Sequence, residues 1–111
     1  MKPSILITGY GSGFGEALKH RFEQGGYQVT GIARTSGDVQ ADLTNLEQTH
    51  TVINKVIEQY GTPTVVIHNV AELIRGKFLD LHPNDFEQAW RSIVLTAINV
   101  SQAVIPSMQQ Q

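Results

Sequence analysis

Apolar residues fall along this chain in two rhythms: short, nearly unbroken runs, and longer stretches where they return every three or four positions. Ser4-Ile5-Leu6-Ile7-Thr8 is a run closed by Gly9, the pattern of a strand covered on both faces. After a glycine-dense turn, Phe14, Ala17, Leu18 and Phe22 keep helical spacing to about Gln24, and Gly25-Gly26 stops them, as glycine does past a helix end. Gln28 to Ala33 predicts a second strand, Thr35-Ser36-Gly37 a turn, and Asp38 to Asp42 a short third strand. Thr44-Asn45-Leu46-Glu47 reads as a capping box with Thr44 at the cap, Glu standing three residues on. The helix it opens carries Leu46, Ile53, Val56, Ile57 and Tyr60 on one face and ends at Gly61. Thr64 to His68 predicts a fourth strand of the fully buried kind. A long connection follows from Asn69 to Leu81, with a helical turn near Phe78, and a last helix runs from Pro83 or Asn84 to about Met108.

Strands alternating with helices predict a parallel sheet with helices on both faces. Right-handed crossovers then set the strand order 3-2-1-4. The predicted fold is α/β, a Rossmann-type sheet incomplete relative to a full doubly wound fold, with residues 1–111 as one nucleotide-binding unit. The last helix carries two apolar stripes, Phe86, Trp90, Ile93 and Ala97 against Val94, Ile98 and Ile105. One is expected to cover the sheet and the other to seek a partner, which predicts self-association as a homo-oligomer.

Composition narrows the chemistry. The chain has no cysteine, which excludes thiolate metal sites, disulfides and Cys nucleophiles. A net charge of -2 without a Lys/Arg cluster argues against a nucleic-acid partner. His20, His50, His68 and His82 lack metal-ligand spacing. The run Ile93 to Ile105 is too short and polar to span a bilayer. No signal peptide is expected, because the apolar run after Met1-Lys2-Pro3 breaks at Thr8-Gly9. A cytoplasmic setting follows as the expectation.

The candidate site is Thr8-Gly9-Tyr10-Gly11-Ser12-Gly13-Phe14-Gly15, lying between a strand and a helix. Gly9 can turn the chain with dihedrals other residues avoid. Gly13 has no side chain to keep a pyrophosphate from the backbone, and Gly15 lets the helix approach the strand. The helix start at Phe14 and Gly15 offers free N–H groups and a positive dipole end. No Gly-Lys-Ser/Thr closes the turn, so an ATPase-type phosphate loop is not expected. The second strand ends Ala33-Arg34-Thr35 with no acid. An acid there favours the 2′-hydroxyl of NAD, whereas Arg accommodates the 2′-phosphate of NADP. Arg34, with Ser12 as an added donor, therefore points to NADP over NAD, unless Arg34 is simply a solvated loop residue.

Through Thr8, Gly9, Gly13 and Gly15 the chain resembles the short-chain dehydrogenase/reductase family, over its whole length. Asp42-Leu43-Thr44 resembles that family's Asp-apolar-Thr element, and His68-Asn69-Val70-Ala71 stands where the family has Asn-Asn-Ala-Gly. The resemblance implies that Asp42 accepts from the adenine amino group, that the Leu43 backbone faces the ring, and that Asn69, Val70 and Ala71 lie by the nicotinamide-side ribose. Read without it, Asp42 is an acid before a helix cap and Asn69 a turn residue. Four departures stand out: His68 for Asn, Ala71 for Gly, Ile93 where the family carries a catalytic Asn, and a short stretch from Asp38 to Asp42 without the helix usual before the third strand.

The family's reaction is hydride transfer by a Ser and a Tyr-x-x-x-Lys pair. Four residues beyond Tyr10, Tyr27 and Tyr60 stand Phe14, Gly31 and Thr64, so no residue here is assigned a catalytic role. Two readings remain. One is part of an NADP-dependent reductase of an unknown carbonyl or alcohol, inactive alone. The other is a non-catalytic dinucleotide-sensing or interaction module. The apolar fourth strand, left as a sheet edge, favours the first.

Overall fold

A computed structural model describes residues 2–10, 13–70 and 74–111. Strands β1 (Ser4–Thr8), β2 (Gln28–Ala33), β3 (Val39–Gln40) and β4 (Val65–His68) form one parallel sheet in the order β3-β2-β1-β4. Helices α1 (Phe14–Gln24), α2 (Leu46–Tyr60), α3 (Pro83–Trp90) and α4 (Thr96–Gln109) complete the frame, and a 3-10 turn spans Phe78–Asp80. The strand order and the helical turn near Phe78 agree with the sequence reading.

The sheet is covered on both faces, and β1 is buried at all five residues. On one face Ile5, Ile7 and Val29 meet Leu18 and Phe22 of α1. On the other, Leu6 and Ile32 meet Val52, Ile53 and Val56 of α2 and Val100 and Val104 of α4. Alternate residues of one strand thus enter two cores, which is why its sequence is apolar without a break. Helix α1 ends as expected at the glycine pair. Gly26 has φ +88°, its N–H donates to the Glu23 carbonyl, and the Tyr27 N–H donates to Phe22. This double closure satisfies the last carbonyls of the helix.

Several expectations give way. The third strand shrinks from Asp38–Asp42 to Val39–Gln40, because Asp38 serves β2 differently, as described below. The α2 cap is Asn45, whose side chain accepts from the Gln48 N–H at 2.9 Å. Thr44 is instead drawn to Asp42. Apolar residues at the first turns of α1 and α2 stay outside, Phe14 at 68% and Leu46 at 50% exposure. The inner face of α2 begins with Thr49 and Val52. Strand β4 is not fully buried: as a sheet edge it leaves Val65 and His68 exposed.

The last helix departs furthest from expectation. Its rod is interrupted by a π-helical turn at Arg91–Leu95, and neither apolar stripe covers the sheet. Phe86, Trp90, Ile93, Val94, Ile98 and Ile105 are each 40% or more exposed. Thr96, Asn99, Val100 and Val104 are buried instead. Two buried polar residues make this work. The Thr96 hydroxyl donates to the Ser92 carbonyl at 2.8 Å, taking up an acceptor where the helical ladder shifts. Asn99 Nδ2 donates to the Leu43 carbonyl at 2.9 Å, tying α4 to the loop after β3. Asn99→Ala leaves that buried carbonyl with only the longer Thr49 hydroxyl contact at 3.2 Å. We expect it to cost about 1–3 kcal/mol, read from urea denaturation midpoints; an unchanged midpoint contradicts the anchoring role.

Candidate functional site

At the carboxyl ends of all four strands lies a cleft of about 270 Å³. Chain order explains its position. From β1 the chain runs outward to β2 and β3, whereas β4 lies on the other side of β1. The connections therefore diverge above the first strand and leave a crevice. Each loop contributes to the wall: Gly9 and Tyr10 after β1, Arg34 after β2, Asp42 to Thr44 after β3, and Asn69 and Val70 after β4. Ser92 and Thr96, set around the π-turn, close the side.

Six of the residues singled out from sequence meet here: Gly9, Arg34, Asp42, Leu43, Asn69 and Val70. Gly13, Phe14 and Gly15 stand at the head of α1 beside this wall and are not part of it. Ser12 and Ala71 lie outside the described residues.

Of the three described turn glycines, Gly9 and Gly15 allow close approach as well as freedom of the backbone, and Gly13 supplies a positive φ. Gly9 has φ +71°, and a Cβ there would come within 2.5 Å of the Val70 nitrogen. The turn after β1 and the loop after β4 are thus in direct backbone contact. Asn69 secures it, its N–H donating to the Thr8 carbonyl at 3.0 Å and its Nδ2 to Gly9 at 3.4 Å. Gly13, at φ 90° and ψ -124°, begins α1 with no side-chain cap. A Cβ there would meet nothing within 4 Å. Among the described residues no side chain caps the helix start, and its first-turn N–H groups can receive an anion. Gly15, expected to let the helix approach the strand, sits where a Cβ would approach the Tyr10 Cα of the turn at 3.2 Å.

Asp42 forms a tight turn of its own. One carboxylate oxygen accepts from the Thr44 hydroxyl at 2.6 Å and the Thr44 N–H at 3.0 Å. The hydroxyl bond holds the carboxyl below its ordinary pKa. Desolvation opposes this, and the Thr44 N–H and the charges of Arg34 and Arg91 assist it. Leu43 is buried, and its carbonyl accepts from both Asn99 and Thr49.

His68, the departure next to Asn69, pairs with Thr8 in the sheet register. Its Nε2 lies 3.3 Å from the Ser101 hydroxyl on α4, and partial burial lowers its pKa. The imidazole thus ties a strand end to a helix, while the buried Thr8 hydroxyl has no partner among the described residues. Ile93 is 45% exposed and does not line the cleft.

Sequence reasoning missed Tyr10, Ser92 and Thr96 in the wall. Gly31, in the middle of β2, was a signal for Tyr10. A glycine inside a strand often marks a close approach, and a Cβ on Gly31 would lie 2.6 Å from Tyr10 Cγ.

Comparison with known proteins agrees with this geometry. The family model for short chain dehydrogenase matches residues 3–111. A PIGF/3-ketodihydrosphingosine reductase fusion protein of Schizosaccharomyces pombe is 28% identical, over 98% of this chain and 26% of its own length. A short-chain dehydrogenase from Streptomyces avermitilis superposes with a TM-score of 0.90 at 22% identity, covering 99% of this chain and 46% of that one. The structure of ElxO with NADP bound gives 0.88 at 24% identity, covering 99% and 52%. The chain spans from 26% to 52% of the length of the curated relatives it matches.

Two outcomes are expected. Gly9→Ala combines a left-handed dihedral with a backbone collision and should cost upward of about 2 kcal/mol, measured by chemical denaturation. Asp42→Asn keeps an acceptor for Thr44 and removes the charge. Because the folded pKa of Asp42 is depressed, its charge stabilises the fold above the ordinary carboxylate value near 3.8. That contribution is lost as pH falls through the folded value. The stability gap between wild type and Asp42→Asn should therefore be open at pH 7 and close as pH falls below the ordinary carboxylate value and through the lowered folded one.

Proposed function

This chain belongs to the short-chain dehydrogenase family, and we propose that it is the dinucleotide-binding part of an oxidoreductase that uses NADP in preference to NAD. The observation that carries this is the start of α1, where among the described residues no side chain caps the helix and a Cβ on Gly13 would meet nothing within 4 Å, standing beside a cleft at the carboxyl ends of the strands. A diphosphate needs unsatisfied N–H donors and a backbone it can approach, and this turn offers both. The cofactor, when bound, supplies or takes up a hydride at its nicotinamide ring, and a small carbonyl or alcohol is the substrate class proposed for the whole protein.

The residues divide the work of holding it. Gly9, Gly13, Phe14 and Gly15 serve the diphosphate with backbone groups, and Ser12 adds a hydroxyl donor beside Arg34 for the 2′-phosphate. Asp42 and the Leu43 backbone serve the adenine, Asp42 with the carboxylate oxygen that Thr44 does not use. Asn69, Val70 and Ala71 serve the second ribose. Arg34 lines the cleft, and near enough to Asp42 to lower its pKa. A guanidinium there can grip a 2′-phosphate through paired, charge-assisted hydrogen bonds. An NADP-bound structural neighbour lends the preference further support.

The proposal extends to a cytoplasmic setting and to self-association. Among the described residues no helix is long and apolar enough to cross a membrane. The exposed face of Phe86, Trp90, Ile93, Val94 and Ile98 supports a second copy as its partner. The 111 residues are proposed to bind cofactor weakly and to turn over no substrate, since half a site loses affinity steeply.

Titration with NADPH and NADH, followed by fluorescence or NMR, tests the cofactor assignment. Wild type should favour NADPH, and Arg34→Ala should remove about tenfold to a hundredfold of that preference while leaving NADH binding unchanged. Equal affinity of wild type for both cofactors overturns it.

A further inference from the structure

We infer that Tyr10 is a positioning residue for cofactor choice: its ring, seated on Gly31 and Gly37, latches the Arg34–Asp38 loop and so fixes where Arg34 stands. The inference rests on the proposed role of Arg34. It concerns a residue that touches the loop's main chain and the Ser36 hydroxyl rather than the 2′-phosphate.

The seat is built from two glycines. A Cβ on Gly31 would lie 2.6 to 2.9 Å from three Tyr10 carbons, and one on Gly37 would lie 3.2 Å from Tyr10 Cδ1. The ring therefore lies directly against main chain at both ends of the loop. Gly37, at φ +88°, reverses the chain there, and a Cβ on it would also strike the Gly31 carbonyl at 2.8 Å. No larger residue fits at either place without moving the ring.

Hydrogen bonds close the loop around that ring. The Tyr10 N–H donates to the Ile32 carbonyl at 3.1 Å, and the Ser36 hydroxyl donates back to the Tyr10 carbonyl at 3.3 Å. Asp38 then acts as a one-residue strand. Its N–H donates to the Gly31 carbonyl at 2.9 Å, and its carboxylate accepts the Gly31 N–H at 2.8 Å. Both polar groups of Gly31 are satisfied by one residue, which is why β3 begins only at Val39. Lys19, from α1, reaches over the assembly. Its Nζ lies 3.8 Å from Asp38 Oδ1 and 5.6 Å from the centre of the Tyr10 ring.

The consequence is entropic. A five-residue surface loop is ordinarily mobile, and a mobile Arg34 must be ordered again whenever it grips a phosphate. A loop already pinned at Gly31, Ser36, Gly37 and Asp38 bears that cost on folding. The latch therefore strengthens binding of a 2′-phosphate and does little for a ligand without one.

Adenosine 2′,5′-bisphosphate and 5′-AMP read this directly, because both need only the adenosine side of the cleft. NMR titration of wild type should show tighter binding of the bisphosphate. Tyr10→Ala should reduce that ratio at least about fivefold, any change in 5′-AMP binding cancelling from it, and should speed deuterium exchange at the Gly31 and Asp38 amides. Tyr10→Phe, which keeps the ring, should restore the ratio. Gly31→Ala, which expels the ring from the other side, should reproduce Tyr10→Ala. If Tyr10→Ala keeps both the ratio and the slow exchange, the latch is refuted while the Arg34 assignment stands. If wild type itself shows no preference, the Arg34 assignment falls and the latch's role in cofactor choice falls with it.

Discussion

The contact on which the site depends is the one between two backbones, where Gly9 runs against the Asn69–Val70 peptide with no room for a side chain. It joins the turn after the central strand to the loop after the edge strand, across the line where the chain changes direction. With the two loops held there, the cleft has a floor, and α1 starts beside it. Hydrophobic burial alone fixes none of this. The cores on the two faces hold the sheet and helices together, and the glycine contact and the Asn69 hydrogen bonds set these two loops against each other.

A second set of polar ties brings the far wall into place. Asn99 and Thr49 converge on the Leu43 carbonyl, and Asp42 closes on Thr44. Each tie spends a buried or half-buried polar group on geometry, the use such groups have when every partner is present. The π-turn at Arg91–Leu95 belongs to the same pattern. It shifts the helix by one residue so that Ser92 and Thr96 face the cleft, and the Thr96 hydroxyl repairs the ladder it disturbs.

Much of this was legible in the chain, and for identifiable reasons. Unbroken apolar runs marked the strands, because a doubly covered strand has no polar face. Gly25-Gly26 and Gly61 marked the ends of the first two helices, and strand-helix alternation fixed the sheet order. The glycine turn was legible because positive φ and close approach admit no other residue. What stayed hidden depends on tertiary contact. The third strand looked longer, since nothing local reveals that Asp38 pairs with Gly31 through its side chain. Thr44 looked like a cap because its competition between Asp42 and the helix is decided in three dimensions. The last helix misled most. Its apolar residues outnumber the positions the sheet can cover, and the buried choice fell on Thr96 and Asn99, which are held by hydrogen bonds no periodicity records. Phe86, Trp90 and Ile93 were left outside.

The account stands or falls on whether the start of α1 receives a diphosphate. Backbone amide NMR of the whole chain, titrated in parallel with ADP and with adenosine, measures this most directly. ADP should move the Gly13, Phe14 and Gly15 amides along one saturating curve, and adenosine should leave them in place. Amides at the head of α1 that ignore ADP, or that respond equally to adenosine, contradict it.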